Sequence, residues 1–332
     1  MKKILVAGAG GFIGHHLVKR LKAEGNWVRG VDLKCPEFET TSADDFIIGD
    51  LRYIDSCIKA TTGIDEVYQL AADMGGIGYI TCSLANIAKN NTYINLNMLE
   101  ASRKNKVKKY LYTSSACVYN QLKQSSANII PLKEEDAYPA LPEPGYGWEK
   151  LYAEQMVSYY IRDYSFNARI VRFHNVYGPL GTWQGGKEKS PAALCRKIAK
   201  LPGYGGAIDV WGDGEQTRSY MYIDDCIEGL LKVMFSSYNE PLNLGTSDMI
   251  SINQLVDIIA AISGKYVEKT HDLTKPQGVR GRNSDNTRLK GVLGWEPKTD
   301  ITTGLVPTYK WIESQVNENT NSYNKLSRVA VP

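Results

Sequence analysis

The chain has 332 residues, of which 43% are hydrophobic and 23% charged, and its formal net charge is +3. That length supports a substantial core in one large domain or two moderate ones, with the composition of an ordinary globular protein. The small charge argues against a nucleic-acid face, no apolar run reaches the roughly 18 residues of a membrane span, and six scattered cysteines without a Cys-x-x-Cys pair argue against disulfides or a metal site. A cytoplasmic location is the expectation.

Residues 4–7 read as a buried strand that runs into Gly8-Ala9-Gly10-Gly11-Phe12-Ile13-Gly14, followed by an amphipathic helical pattern over 12–23. Glycines between a strand and a helix allow a tight turn and close approach of a pyrophosphate. The helix start adds free N–H groups for the anion. Gly8, Gly10, Gly11, Phe12, Ile13 and Gly14 are therefore candidate cofactor contacts. The next strand, 28–31, is followed by Asp32, whose carboxylate can bond both ribose hydroxyls and would repel a 2′-phosphate, favouring NAD.

Further strands are expected at 46–48, 67–70, 109–113 and 169–173, with helices at 87–104 and 148–163. This alternation argues for an α/β fold, a doubly wound parallel sheet of Rossmann type. Asp50 and Leu51 follow the third strand, and Leu70, Ala71 and Ala72 close the fourth, where such sheets line their crevice. Asp50 reads either as a contact near the adenine or as an ordinary helix cap.

Ser115 ends the fifth strand, and Tyr146 and Lys150 stand four apart on one helical face. A cation near the phenol would lower its pKa from about 10 toward neutrality. Ser115 could bond the same substrate oxygen. Cys117, two residues further on, has no role in hydride chemistry; taken alone it reads either as a buried structural cysteine or as a sign of a second proton transfer, at carbon.

After Tyr177 glycines and prolines punctuate the chain, and amphipathic helices recur at 224–235 and 252–262. The expected division is an NAD-binding domain over 1–176, with 218–245 returning to it, and a smaller substrate-binding lobe over 177–320. A partly disordered tail is expected from about Ser314, with a flexible end over 321–332.

Several separated blocks now carry a resemblance. They are 71–78 (Ala-Ala-Asp-Met-Gly-Gly-Ile-Gly), 114–117 (Ser-Ser-Ala-Cys), 172–179 (Arg-Phe-His-Asn-Val-Tyr-Gly-Pro), 181–189 (Gly-Thr-Trp-Gln-Gly-Gly-Lys-Glu-Lys), 211–218 and 278–286. The chain resembles the extended short-chain dehydrogenases/reductases that act on nucleotide sugars and, within them, the GDP-mannose 3,5-epimerases. The resemblance runs from the glycine turn to about Trp311. It implies that Tyr146, with Ser115 and Lys150, takes the C4 hydroxyl proton as hydride passes to NAD. The 4-ketone then acidifies C3 and C5, and Cys117 and Lys189 match the family's acid/base pair, thiolate as base and ammonium as acid. Lys187 is placed to lower Lys189 by repulsion, with Glu188 offsetting it.

Substrate contacts follow at Gly75, Gly76, Ser115, Cys117, Asn175, Glu188, Lys189, Lys197, Arg218, Arg280 and Arg282, with a GDP-sugar as the small-molecule partner. His174 reads as structural or as a substrate contact. The superfamily implies a homodimer through helices 87–104 and 148–163. The alternative is a 4-epimerase or 4,6-dehydratase on another nucleotide sugar. Related dehydratases carry Asp-Glu where Ala116-Cys117 stand here.

Overall fold

The computed structural model describes residues 1–329, with side chains as far as Asn319. Its first half alternates β1 (Lys3–Ala7), α1 (Phe12–Ala23), β2 (Trp27–Asp32), β3 (Asp45–Ile48), α2 (Ile54–Thr61), β4 (Glu66–Gln69), α3 (Ile77–Cys82), α4 (Leu84–Lys104), β5 (Lys109–Ser115), α5 (Tyr146–Tyr164) and β6 (Ala168–Phe173). The second half is more broken. It runs through β7 (Asn175–Tyr177), α6 (Ser190–Ala199), β8 (Gly205–Trp211), β9 (Thr217–Arg218), β10 (Tyr220–Tyr222), α7 (Ile223–Phe235) and β11 (Pro241–Leu244). β12 (Ile250–Ser251), α8 (Ile252–Ser263), β13 (Tyr266–Asp272), β14 (Gly281–Arg282), α9 (Thr287–Leu293) and α10 (Ile301–Val329) complete it.

Seven strands form one parallel sheet in the order β11-β6-β5-β4-β1-β2-β3. Strand β1 is central and apolar on both sides, as a sheet covered on both faces requires. Its side chains alternate between two cores. Ile4 and Val6 pack with Leu17 and Leu21 of α1 and Leu230 of α7, whereas Leu5 and Ala7 pack with Cys57 of α2, Met98 of α4 and Val157 of α5. Burying each large aliphatic group stabilises the fold by roughly 1.5–3 kcal/mol. Strand order reverses between β1 and β4, which opens a crevice at the carboxyl ends of these strands.

A third core joins α6, α8 and α10 through Leu194, Ile198, Leu255, Ile259, Leu305 and Ile312. Three smaller sheets lie outside the main one and matter for the site. β7 pairs with β10, β9 pairs with both β12 and β14, and β8 pairs with β13. The β9–β14 register sets Arg282 beside Arg218, and the β7–β10 register sets Asn175 beside Tyr220. Helix α10 continues through Ser314 to Val329, where irregular chain was expected. The reason lies in its apolar stripe, because Tyr309, Ile312 and Val316 are all buried in the third core. The flexible end expected over 321–332 extends to residues 330–332, which lie outside the described residues. No helix of the described residues is long and apolar enough to cross a membrane.

Candidate active site

A cavity of about 980 Å³ runs from the start of α1, along the ends of β4 and β5, to α6 and β14. Its nucleotide end is built by backbone. Gly8 has φ +84°, and a Cβ there would stand 2.8 Å from Ala71 N; a Cβ at Gly14 would stand 2.1 Å from Gly8 O. Only glycine lets α1 start this close to β1. Helix α1 has no side-chain cap and no acidic residue in its first turn, so its leading N–H groups are available to an anion. Gly11, Phe12 and Ile13 line the cavity beside them.

Gly10 does not line the cavity. Its N–H donates to Asp32 Oδ2 at 3.0 Å, so it orients the carboxylate rather than a ligand. Asp32 reaches the cavity at the end of β2; burial raises its pKa, and the N–H groups of Gly10, Lys34 and Leu33 oppose that. Asp50 also lines the wall, with its carboxylate tied to Arg52 at 2.5 Å; the residue capping α2 is Tyr53. Leu51, Leu70, Ala71 and Ala72 complete this end. An uncapped helix start, a carboxylate at the β2 end and an apolar floor fit a dinucleotide, with Phe12 and Ile13 toward the diphosphate and Asp32 toward a ribose.

At the other end β5 delivers Ser115 and turns at once into a 3₁₀ segment, Ala116–Val118, whose first N–H groups include Cys117 N donating to Ser115 Oγ at 3.2 Å. Helix α5 begins at Tyr146, so Tyr146 and Lys150 share its first turns and one face. Lys150 Nζ donates to Thr113 O at 3.0 Å and stands 5.6 Å from the centre of the Tyr146 ring. The phenol does not shift as the sequence suggested. Burial pushes it well above its ordinary value, the charges of Cys117 and Glu149 add to this, and the hydrogen bond with Ser115 opposes it. The Lys150 ammonium is bonded to the Thr113 carbonyl, and no hydrogen bond joins it to the phenol among the described residues. Burial lowers its own pKa, against the charges of Glu149, Glu154 and Cys117.

Cys117 is buried and sits in a charged cluster that sequence reasoning missed. Arg282 Nη1 donates to its Sγ at 3.5 Å, and Arg282 Nη2 donates to Glu143 Oε1 at 2.7 Å. Glu143 N donates to Cys117 O at 3.0 Å, and the Glu143 carboxylate and the thiol share the Arg282 guanidinium. Burial pushes the thiol up to about 11, with Glu143 adding and Arg282 opposing. The signal for Glu143 was its place between Pro142 and Pro144, which restrict the backbone just before Tyr146. Lys189 is half-buried, lines the cavity, and its Nζ has no hydrogen-bond partner among the described residues. Burial lowers its pKa, the Cys117 and Cys226 charges oppose that, and Arg282 adds to it. Lys187 plays no part in this, because it turns to Asp73 at 3.6 Å and to the Tyr79 ring.

Asn175 and Arg218 line the same cavity. Asn175 Nδ2 donates to Ser219 O, and Arg218 donates to two backbone carbonyls, Thr217 O and Gln277 O. Burial and the neighbouring Arg282 lower Arg218 to about 10. Lys197 reaches the wall but is paired with Asp209 at 2.7 Å. Glu188 is held by Arg196 at 2.7 Å and by Gly186 N, so its carboxylate is already engaged. Gly75 and Gly76 both line the cavity, and Gly76 has a packing role as well. Gly76 N donates to Lys187 O, and a Cβ on Gly76 would lie 2.5 Å from Glu188 O, so the glycine admits the 187–188 loop. Arg280 is not brought to the cavity; it pairs with Asp213 at 2.9 Å and with Gln277. His174 lines the cavity and is buried against Asn243, with burial lowering it to about 3.

A doubly wound sheet with a glycine turn at β1 and a Ser115/Tyr146/Lys150 set at β5 and α5 defines a nicotinamide-dependent enzyme of the extended short-chain dehydrogenase/reductase class. Residues 4–245 match the model of the NAD dependent epimerase/dehydratase family, and the chain belongs to that family. It is 46% identical over 318 residues to "GDP-mannose 3,5-epimerase 1" of Oryza sativa subsp. japonica, covering 95% of this chain and 83% of that protein. It is 45% identical, with the same coverage, to "GDP-mannose 3,5-epimerase" of Arabidopsis thaliana. Among solved structures it is similar to a Thermotoga maritima UDP-glucose 4-epimerase with UDP-glucose (TM-score 0.84, 28% identity, 95% of this chain and 99% of that one). It is also similar to a Bacillus cereus UDP-glucuronic acid 4-epimerase in complex with UDP-glucuronic acid and NAD (TM-score 0.80, 27% identity, 94% and 99%). The chain is an NAD-dependent epimerase.

Proposed function

We propose that the chain inverts GDP-mannose at C5 and C3, through a transient 4-ketone. The observation that carries this reading is the pairing of Cys117 with Lys189 in the cavity that holds Tyr146. A 4-epimerase needs only the Ser115/Tyr146/Lys150 set, whereas inversion at carbon needs one group to remove a proton and another to deliver one. Bound NAD would supply reversible hydride acceptance at the sugar's C4. Tyr146 takes the C4 hydroxyl proton and later returns it, with Ser115 holding the same oxygen. Arg218, bonded to two backbone carbonyls, offers the cation that a diphosphate requires, and Arg282 and Asn175 line the same cavity.

The division into an NAD-binding domain over 1–176, joined by 218–245, and a substrate lobe over 177–320 belongs to this reading, as does a homodimer. Trp148, Tyr152 and Tyr159 of α5 and Tyr93 of α4 are exposed aromatics that support such an interface. The exposed free thiols of Cys35 and Cys82 support a cytoplasmic, reducing location.

The test is incubation with GDP-mannose in D₂O followed by mass spectrometry and proton NMR. Deuterium at C3 and C5 with inversion is expected. Inversion at C4 alone, without deuterium at C3 or C5, would make the protein a 4-epimerase and overturn the reading.

A further inference from the structure

We propose that Asp73 is a positioning residue: through Lys187 it holds the loop that carries Lys189 against the cofactor side of the cavity. The inference rests on the epimerase reading, in which Lys189 is one of two groups that move protons at carbon.

Lys189 stands at the end of a loop that begins with two glycines. Gly185 and Gly186 have φ +90° and +85°, and a Cβ on either would meet nothing within 4 Å. Their conformation therefore serves the turn and not close packing, and the loop takes its fixing from elsewhere. On its own side of the cavity Glu188 binds Arg196 and Gly186 N, and α6 starts at Ser190. The contacts that tie it to the cofactor side all run to residues 73–79. Gly76 N donates to Lys187 O at 3.1 Å. Lys187 Nζ lies 3.6 Å from Asp73 Oδ1 and 3.9 Å from the centre of the Tyr79 ring. One ammonium thus meets a carboxylate and an aromatic face together.

Asp73 is itself held in place. Its carboxylate accepts Tyr79 OH at 2.7 Å and Asn90 Nδ2 at 3.1 Å. Its backbone is clamped by Asn91, whose Oδ1 accepts from Asp73 N at 2.6 Å and whose Nδ2 donates to Asp73 O at 3.0 Å. The same Asn91 amide donates to Glu149 Oε1 at 2.9 Å, next to Lys150. Burial pushes Asp73 up, but the bonds from Tyr79 and Asn90 and the Lys187 charge outweigh it, so the carboxylate stays ionised. The carboxylate is fixed relative to the helix of Tyr146 and Lys150, while the ammonium that it holds belongs to the loop of Lys189. Asp73 therefore joins the group that makes the ketone to a group that moves protons beside it.

Lys187→Met tests this, because it keeps an unbranched side chain and removes the charge. Without substrate, amide hydrogen exchange read by mass spectrometry should rise about three- to tenfold in peptides covering 74–80 and 183–189, as loss of a partly exposed ion pair and a cation–π contact implies. Lys187→Arg should restore protection, since a guanidinium can meet both partners. Unchanged amide exchange in Lys187→Met overturns the proposal. With saturating GDP-mannose in D₂O, Lys187→Met and Asp73→Asn should each slow deuterium uptake at C3 and C5 by about three- to tenfold. Transient nicotinamide reduction, which needs Ser115, Tyr146 and Lys150, should stay within about twofold. The double variant should lose no more than either single one, because both remove one contact. A raised KM with unchanged kcat would make Lys187 a substrate contact, and an equal loss of reduction and carbon exchange would make Asp73 merely structural; either refutes the positioning role. If the unmodified enzyme takes up no deuterium at either carbon, the epimerase reading fails, and the amide exchange still decides whether Asp73 and Lys187 hold the loop.

Discussion

Glu149 is the buried charge whose removal gives the most discriminating result. Its carboxylate is held by Asn91 Nδ2 at 2.9 Å and Asn95 Nδ2 at 3.1 Å, next to Lys150, and the residue is 5% exposed. Burial raises its pKa from 4.5 to about 7, against Lys150 and the two amides. A carboxyl whose folded pKa lies above its unfolded one stabilises the fold only while protonated. Its contribution is therefore fully present below about pH 4.5 and is lost as pH rises through about 7. The shift of 2.5 (7 minus 4.5) corresponds to roughly 3 kcal/mol at pH 8.5. Glu149→Gln imitates the protonated form at every pH, so it should recover that amount at high pH and almost none at pH 4.5. With an unfolding entropy of about 0.7 kcal/mol/K for a chain of this length, Tm should rise by ~4–5 °C at pH 8.5 and by ~1 °C at pH 5. Calorimetry or differential scanning fluorimetry across that range reads it directly. A fall in Tm at every pH would mean that the Glu149–Lys150 attraction outweighs the burial penalty, which would refute the reasoning.

Tyr146→Phe should abolish both transient nicotinamide reduction and deuterium exchange, by about 10²–10⁴-fold; reduction is read by absorbance, exchange by mass spectrometry. Glu154→Gln should lower Tm by ~4–7 °C, because Arg172, with only 2% of its side chain exposed, would lose the carboxylate that receives two of its N–H groups. Asp32→Ala should weaken NAD binding by about tenfold to a hundredfold through loss of charge-assisted hydrogen bonds while NADP binding improves, as titration calorimetry would show. Equal losses for both cofactors would remove Asp32 from the ribose.

The sheet was legible because its signals are local. Strand β1 packs apolar residues on both faces, and the glycines that follow it admit α1 at a separation that any side chain would block. Tyr146 and Lys150 were legible for the same reason, being four residues apart on one helix. The tail was misread because its Asn and Ser residues hid Ile312 and Val316, whose spacing of four continues the buried stripe of α10. Arg280 and Arg282 show the limit of reading by type. They are two residues apart in one strand-like segment, yet one pairs with Asp213 outside the cavity and the other meets Cys117.

The cluster around Cys117 could not have been found from periodicity, since Arg282 lies 165 residues from the thiol and 139 from Glu143. What joins them is β14, a strand of two residues, and two residues carry no period. Yet that pairing decides the electrostatics. It sets Arg282 beside Arg218, and burial together with the Arg282 charge lowers the pKa of Arg218, while Glu143 holds Arg282 charged. Arg282 has Glu143 as its bonded counter-ion, whereas among the described residues Arg218 is hydrogen-bonded to the carbonyls of Thr217 and Gln277 and feels Glu143 without a bond to it. A diphosphate beside Arg218 would supply the missing negative charge without disturbing the Glu143–Arg282 pair. Arg218 is thus left for the substrate, while Arg282 stays bonded to Glu143 and to the Cys117 sulfur. Arg218→Met should therefore raise KM for the nucleotide sugar while leaving the pH midpoint for alkylation of Cys117 by iodoacetamide nearly unchanged; a large shift of that midpoint would show that the two arginines act as one group.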